Sequence, residues 1–257
     1  AKAYAAAGSD ARMNGCELPV VIVSGSGNQG ITASVPVVVY AKELGASEEK
    51  MLRAVVLSDL ITIHQKSGIG RLSAYCGAIS AGCGAGAGIA YLYGGGYEEI
   101  AHTVVNALAV VSGVVCDGAK ASCAAKIAAA VDAGILGYWM YRDGNQFFGG
   151  DGIVSKGVEN TIRNVGRLAR EGMKETDKEI IKIMLERSRG PTETQGRPAP
   201  LQKKRGRSYA ERGMEPERNA PGWTGSGAAQ PLRVSAQAAY LATFSSQKAL
   251  FSPLARI

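Results

Sequence analysis

Four cysteines, at positions 76, 83, 116 and 123, fall between His64 and Lys126 in the segments HQKSGIGRLSAYCGAISAGCG and VVCDGAKASCAAK. The fifth is Cys16, and the last 134 residues hold none. Cysteines that form disulfide staples are spread through a chain as a framework, so this grouping points to a reducing compartment and a site built from thiols. Lys66, Arg71, Lys120 and Lys126 lie close to them in sequence, and neighbouring positive charge favours the thiolate. Three thiolates at 76, 116 and 123 suit an iron–sulfur cluster with one iron open to substrate, and equally a zinc ion with water as fourth ligand. Spacings of 40 and 7 residues match no ferredoxin or zinc-finger run. Cys83, seven residues after Cys76, is not excluded by spacing, and a buried apolar role for all five remains the plainer alternative.

A second stretch with chemical capacity is Ser24-Gly25-Ser26-Gly27-Asn28-Gln29-Gly30. It precedes a helical segment expected from about Thr32 to Leu44, with Pro36 early in it. A glycine loop feeding a helix aims several free N–H groups at one point, which suits an anion. It also serves as a plain tight turn. Neither GxGxxG nor GxxxxGK[ST] occurs, so no nucleotide motif supports the loop.

The elements that must position these residues read as helices. Residues 1–12 are helical. Ser47 caps a helix with Glu48 and Glu49 in its first turn, and Leu52, Val55, Val56, Leu60 and Ile63 recur on it at helical spacing as an expected core stripe. Further helices are expected over 72–93, 98–115, 123–140, 154–166 and 171–185, the last with Ile180, Ile181, Met184 and Leu185 as a core stripe. Five glycines inside the 72–93 helix each cost about 0.5–1 kcal/mol against alanine, and close packing of neighbouring backbones is the simplest reason for them. Period-two alternation is scarce, so the fold class is all-α, a glycine-rich helical domain.

Charge divides the chain. Residues 1–186 carry 17 Lys+Arg against 18 Asp+Glu, while residues 187–257 carry 12 against 4 and seven of the nine prolines. The whole net charge of +7 therefore comes from the tail. Residues 1–186 form one expected domain, and 187–257 a basic, low-complexity extension expected to be disordered, with specific nucleic-acid binding not expected. The opening AKAYAAAGSDA has no signal-peptide pattern. The longest apolar run, Ile100 to Val115, is interrupted by His102, Thr103, Asn106 and Ser112, so no membrane span is expected.

NGCELPVVIVSGSGNQG, HQKSGIGRLSAYCGAISAGCGAGAG and GVVCDGAKASCAAK together resemble the C-terminal half of the L-cysteine desulfidase (UPF0597) family, which is related to the alpha chain of bacterial iron–sulfur L-serine dehydratase. The resemblance covers about residues 1–186. It implies a cytoplasmic lyase with an all-helical catalytic domain and a [4Fe-4S] cluster held by Cys76, Cys116 and Cys123, without pyridoxal phosphate. The implied reaction is β-elimination from a small amino acid, L-cysteine or L-serine, giving pyruvate and ammonia. Ser24, Ser26, Asn28 and Ser73 are then expected to hold the carboxylate or amine, with Lys66 and Arg71 neutralising charge. His64 and Lys66 are the candidate bases within the chain. Family members carry a further N-terminal region, expected to supply a cysteine as base. This chain is therefore expected to be a fragment, a split subunit or a damaged gene product, needing that half as partner, and a homodimer is a further possibility.

Overall fold

The computed structural model describes residues 1–70 and 73–188. Among these there are eight α-helices, α1 (Lys2–Met13), α2 (Gly27–Glu43), α3 (Glu48–Ile69), α4 (Gly77–Leu92), α5 (Tyr97–Val111), α6 (Cys123–Arg142), α7 (Val158–Arg167) and α8 (Lys174–Ser188), with one π-helical turn, Leu168–Gly172, between the last two. The only extended pairings among the described residues are two isolated β-bridges. The all-α expectation holds. Arg71 and the tail from residue 189 lie outside the described residues, and α8 continues to Ser188, across the boundary expected at 186/187.

α4 is the axis of the bundle. Fifteen of its sixteen residues are buried, and it packs against α2, α3, α5 and α6. Its glycines explain how. A Cβ on Gly86 would stand 2.5 Å from the Gly134 carbonyl oxygen of α6, and one on Gly88 would stand 2.8 Å from the Ala54 carbonyl oxygen of α3. Gly82 meets Ala130 of α6 in the same way, and Gly84 meets Ser58 of α3. Positions 82 and 86 thus face one neighbour, and 84 and 88 the other, at the four-residue spacing of one helix face. The glycine cost is offset by backbones brought into contact on two sides.

The end of α4 near Leu92 is closed by aromatic side chains. Tyr93 stacks on Tyr138 with centroids 5.3 Å apart and meets Tyr40 and Trp139 edge-on. Arg142 lies over the Tyr93 and Trp139 rings at 5.6 and 5.2 Å.

Several boundaries differ from expectation. α2 begins at Gly27, so Asn28, Gln29 and Gly30 form its first turn and Pro36 sits mid-helix. α4 starts at Gly77 because the chain from Ser73 to Cys76 is drawn into an extended pairing. The α3 stripe is split: Val55 is buried, but Val56, Leu60 and Ile63 are 40, 58 and 47% exposed. The buried residues of α3 are Ala54, Val55, Ser58, Thr62, Gln65, Lys66 and Ile69, and small or polar-tipped side chains, Ala54, Ser58 and Thr62, stand where it crosses Gly84 and Gly88 of α4. Ile181, Met184 and Leu185 of the stripe expected on α8 are likewise exposed rather than core. By length and composition α6 is apolar enough to cross a membrane. Its buried residues, such as Ile127, Val131 and Gly134, belong to the bundle interior against α4.

Candidate functional site

Cys76 and Cys116 are 40 residues apart and are joined by one of the two β-bridges. Tyr75 pairs with Val115 in antiparallel sense, with the Cys76 amide donating to the Val114 carbonyl (3.1 Å) and the Cys116 amide to the Ala74 carbonyl (2.6 Å). Period-two alternation puts Cys76 and Cys116 on the same side of this bridge. Their thiols are close enough for one to hydrogen-bond the other. Cys116 is held well below the ordinary thiol range by that bond, despite its burial, and also by the Gly118 amide and Lys126. Cys76 is pushed up correspondingly, first by the bond to Cys116 and then by burial.

Cys123 opens α6 on the same connector. Its Sγ approaches the Gly118 carbonyl at 3.7 Å and the Lys120 amide at 3.5 Å. Between these cysteines Asp117 ties the connector together, accepting from both Lys120 and Lys126, and those bonds hold its carboxyl down at about 2. Among the described residues no three His, Cys, Asp or Glu side chains stand together as a ready-made metal site. Two thiols are paired, and the third is turned to its own loop. All five cysteines are free thiols. Cys83 is fully buried, and burial pushes its thiol up to about 12, which suits core packing.

Lys66 is 4% exposed. Burial lowers its pKa, and the neighbouring Cys116 and Cys76 work in the opposite direction. No carboxylate among the described residues pairs with it. His64 is two residues earlier and therefore about 200° away around α3. Its Nε2 lies 2.8 Å from Glu159 of α7, on an exposed edge. The structure thus joins Lys66 to the cysteines and leaves His64 apart.

The serine–glycine loop is a tight turn. Val23 and Ser26 bridge across Ser24 and Gly25, whose φ angles are +49° and +99°. Ser26 caps α2 by accepting from the Asn28 amide at 3.2 Å. The Asn28 side chain accepts from Arg12 at 2.9 Å and is 7% exposed. Ser73 donates to the Ala169 carbonyl and accepts from the Tyr75 amide. Ser26, Asn28 and Ser73 are therefore engaged in hydrogen bonds within the protein, while the Ser24 side chain is half-buried at the turn. A residue the sequence left unnoticed is Gln29. It is 7% exposed, its Oε1 has no hydrogen-bond partner, and its amide occupies the space where Gly77 lacks a Cβ. It docks the start of α2 onto the start of α4, beside Cys76. The lack of a side chain at Gly77 was the available signal.

The family model described as serine dehydratase alpha chain matches residues 1–182. The chain belongs to the serine dehydratase alpha-chain family. Within it the chain is 75% identical over 185 residues to a UPF0597 protein of Desulfitobacterium hafniense, covering 72% of this chain and 43% of that protein. UPF0597 proteins of Lachnoclostridium phytofermentans and Treponema denticola are 63 and 55% identical, again over 72% of this chain and 44 and 43% of theirs. The chain therefore spans less than half the length of these serine dehydratase-related relatives. No solved structure matches.

Proposed function

We propose that this chain is the thiol-bearing half of a lyase that eliminates the β-substituent of L-cysteine, with Cys76, Cys116 and Cys123 holding a [4Fe-4S] cluster. The observation that carries this reading is the Cys76–Cys116 pair with buried Lys66 beside it. When bound, the cluster supplies Lewis acidity that weakens the bond to the departing thiol. The chain's own residues do the rest. Lys66 balances the thiolates and offers a desolvated cation to the substrate carboxylate, where charge pairing is strong. Ser24 and the first turn of α2 contribute hydrogen-bond donors at the substrate's other end. Lys126 and Asp117 keep the connector that carries Cys116 and Cys123 in place.

Removal of the α-proton needs a base within hydrogen-bond reach. His64 is engaged with Glu159 on another face of α3, so the base is assigned to the part of the relatives that this chain does not match. The membership in a serine dehydratase family favours a second reading, the same elimination from L-serine. Anaerobic reconstitution with iron and sulfide tests the proposal: about four irons per chain are expected, with pyruvate released from L-cysteine only when the remaining half is added. Turnover near 1 s⁻¹ by the chain alone would place the base among these residues. A single zinc ion in place of iron would overturn the cluster assignment.

A further inference from the structure

α2, α3 and α4 meet at one level close to the thiols. Ser58 of α3 donates to the Ala33 carbonyl of α2 at 2.8 Å and stands against Gly84 of α4. One turn nearer the thiols on each helix come Gln29, Thr62 and Ser80, and the Ser80 carbonyl accepts from both Thr62 and Gln65 at 3.4 Å. Helical side chains lean toward the N-terminus, which brings the Gln29 amide against Gly77, next to Cys76. Lys66 follows Gln65 and neighbours Cys76 and Cys116. Three acceptors at this level, Gln29 Oε1, Gln65 Oε1 and Ser80 Oγ, are buried without a hydrogen-bond partner. An unpaired buried acceptor is costly, and three together mark a place that a donor completes. The Gln65 amide is tied back to the Ile61 and Ser80 carbonyls, whereas Gln29 rests on Gly77 by contact.

We infer that Gln29 is a substrate-binding residue whose Oε1 accepts from the α-ammonium group of the amino acid, across from Lys66. The inference rests on the proposed function, in which the site takes L-cysteine or L-serine. That reading gives the carboxylate a partner in Lys66 and leaves the ammonium group without an acceptor. The carboxylates of this end are not at hand. Asp117 accepts from Lys120 and Lys126, Glu159 meets His64, and Asp59 lies two turns back along α3. A neutral amide oxygen beside Cys76 remains. Such an acceptor separates an amino acid from an acid lacking the amino group, because the latter leaves the buried oxygen unpaired.

The test uses the full 257-residue chain, reconstituted anaerobically with iron and sulfide together with the remaining half. Binding of L-alanine, which has no β-substituent to lose, is followed by ligand-observed nuclear magnetic resonance, with propionate as the same acid without its amino group. Gln29→Met keeps the length of the side chain and its contact with Gly77 but removes the oxygen. Q29M should weaken L-alanine about 10- to 100-fold, with propionate binding, iron content and helical circular dichroism unchanged. Lys66→Met should weaken both ligands. Equal L-alanine affinity in Q29M and the wild type overturns the inference and leaves the amide oxygen to water alone. So does a loss that propionate shares, or a wild type that binds no L-alanine. Iron content is read separately. Iron uptake with L-alanine affinity unmoved by Q29M keeps the cluster and refutes Gln29, whereas no iron uptake with L-alanine binding lost in Q29M refutes the cluster and keeps Gln29.

Discussion

The two ends of α4 are built on opposite terms. At the Leu92 end, Tyr40, Tyr93, Tyr138 and Trp139 fill the space with rings, and Arg142 lies across them. At the Gly77 end there are connectors instead of rings, and the groups brought together are two thiols, a buried lysine and an unpartnered glutamine. One end contributes contact area; the other holds ionisable groups that cost stability. The shared element between them is the glycine-laced middle of α4. Stability and chemistry are therefore separable along one helix, and substitutions can be ranked by which of the three regions they strike.

The middle should fail first and take both ends with it. Gly86→Val puts a branched side chain where the Gly134 carbonyl stands 2.5 Å from the Cβ position; a loss of about 4 kcal/mol or outright failure to fold is expected, read as the thermal midpoint. If G86V melts like the wild type, α4 is not the axis described above.

Asp59 comes next. It lies on α3 with a buried, unpartnered Oδ1, and burial raises its carboxyl from 3.8 to about 7. The folded state therefore holds this proton more tightly than the unfolded chain does. Its stabilising contribution is complete below about pH 4 and is lost as pH rises to about 7. Asp59→Asn should stabilise the chain at pH 8 by at most about 4 kcal/mol, with the gain shrinking toward pH 4. Urea unfolding at the two pH values measures this, and a pH-independent gain would locate the cause elsewhere.

At the aromatic end, Tyr93→Ala should cost about 2 kcal/mol through lost ring contacts while leaving iron uptake unchanged. Iron loss in Y93A would mean the two ends are coupled. The smallest effect on stability is expected at the thiols. Cys116→Ser should move the metal-free midpoint by no more than about 1 kcal/mol, yet abolish most iron binding after anaerobic reconstitution. Cys83→Ser should retain its iron, and equal losses in C83S and C116S would break the ligand assignment.

Helix positions, the Ser47 cap and the purpose of the α4 glycines were legible in the sequence because each depends on residues within a turn or two. The α3 stripe misled for a related reason: helical spacing locates an apolar face but not the partner it meets, and α4 presents glycines that suit Ser58 and Thr62 better than leucine. The pairing of Cys76 with Cys116 could be suspected from residue type alone. The Tyr75–Val115 bridge that creates it is a long-range contact with no local signature. His64 and Lys66 look equivalent on paper, two residues apart, and only the direction of α3 separates them.

Where Gly82 and Gly86 touch α6, and Gly84 and Gly88 touch α3, a main-chain carbonyl of the neighbouring helix is among the nearest atoms each time. Such contacts have no rotamers to freeze, so they form without loss of side-chain freedom on folding. They also have no soft torsion with which to absorb a displacement. A shift of α6 along its axis would therefore pass directly to α4, and from there to the extended residues that carry Cys76. Cys76 stands at the N-cap of α4 and Cys123 opens α6, so both thiol connectors hang from the same pair of directly packed helices.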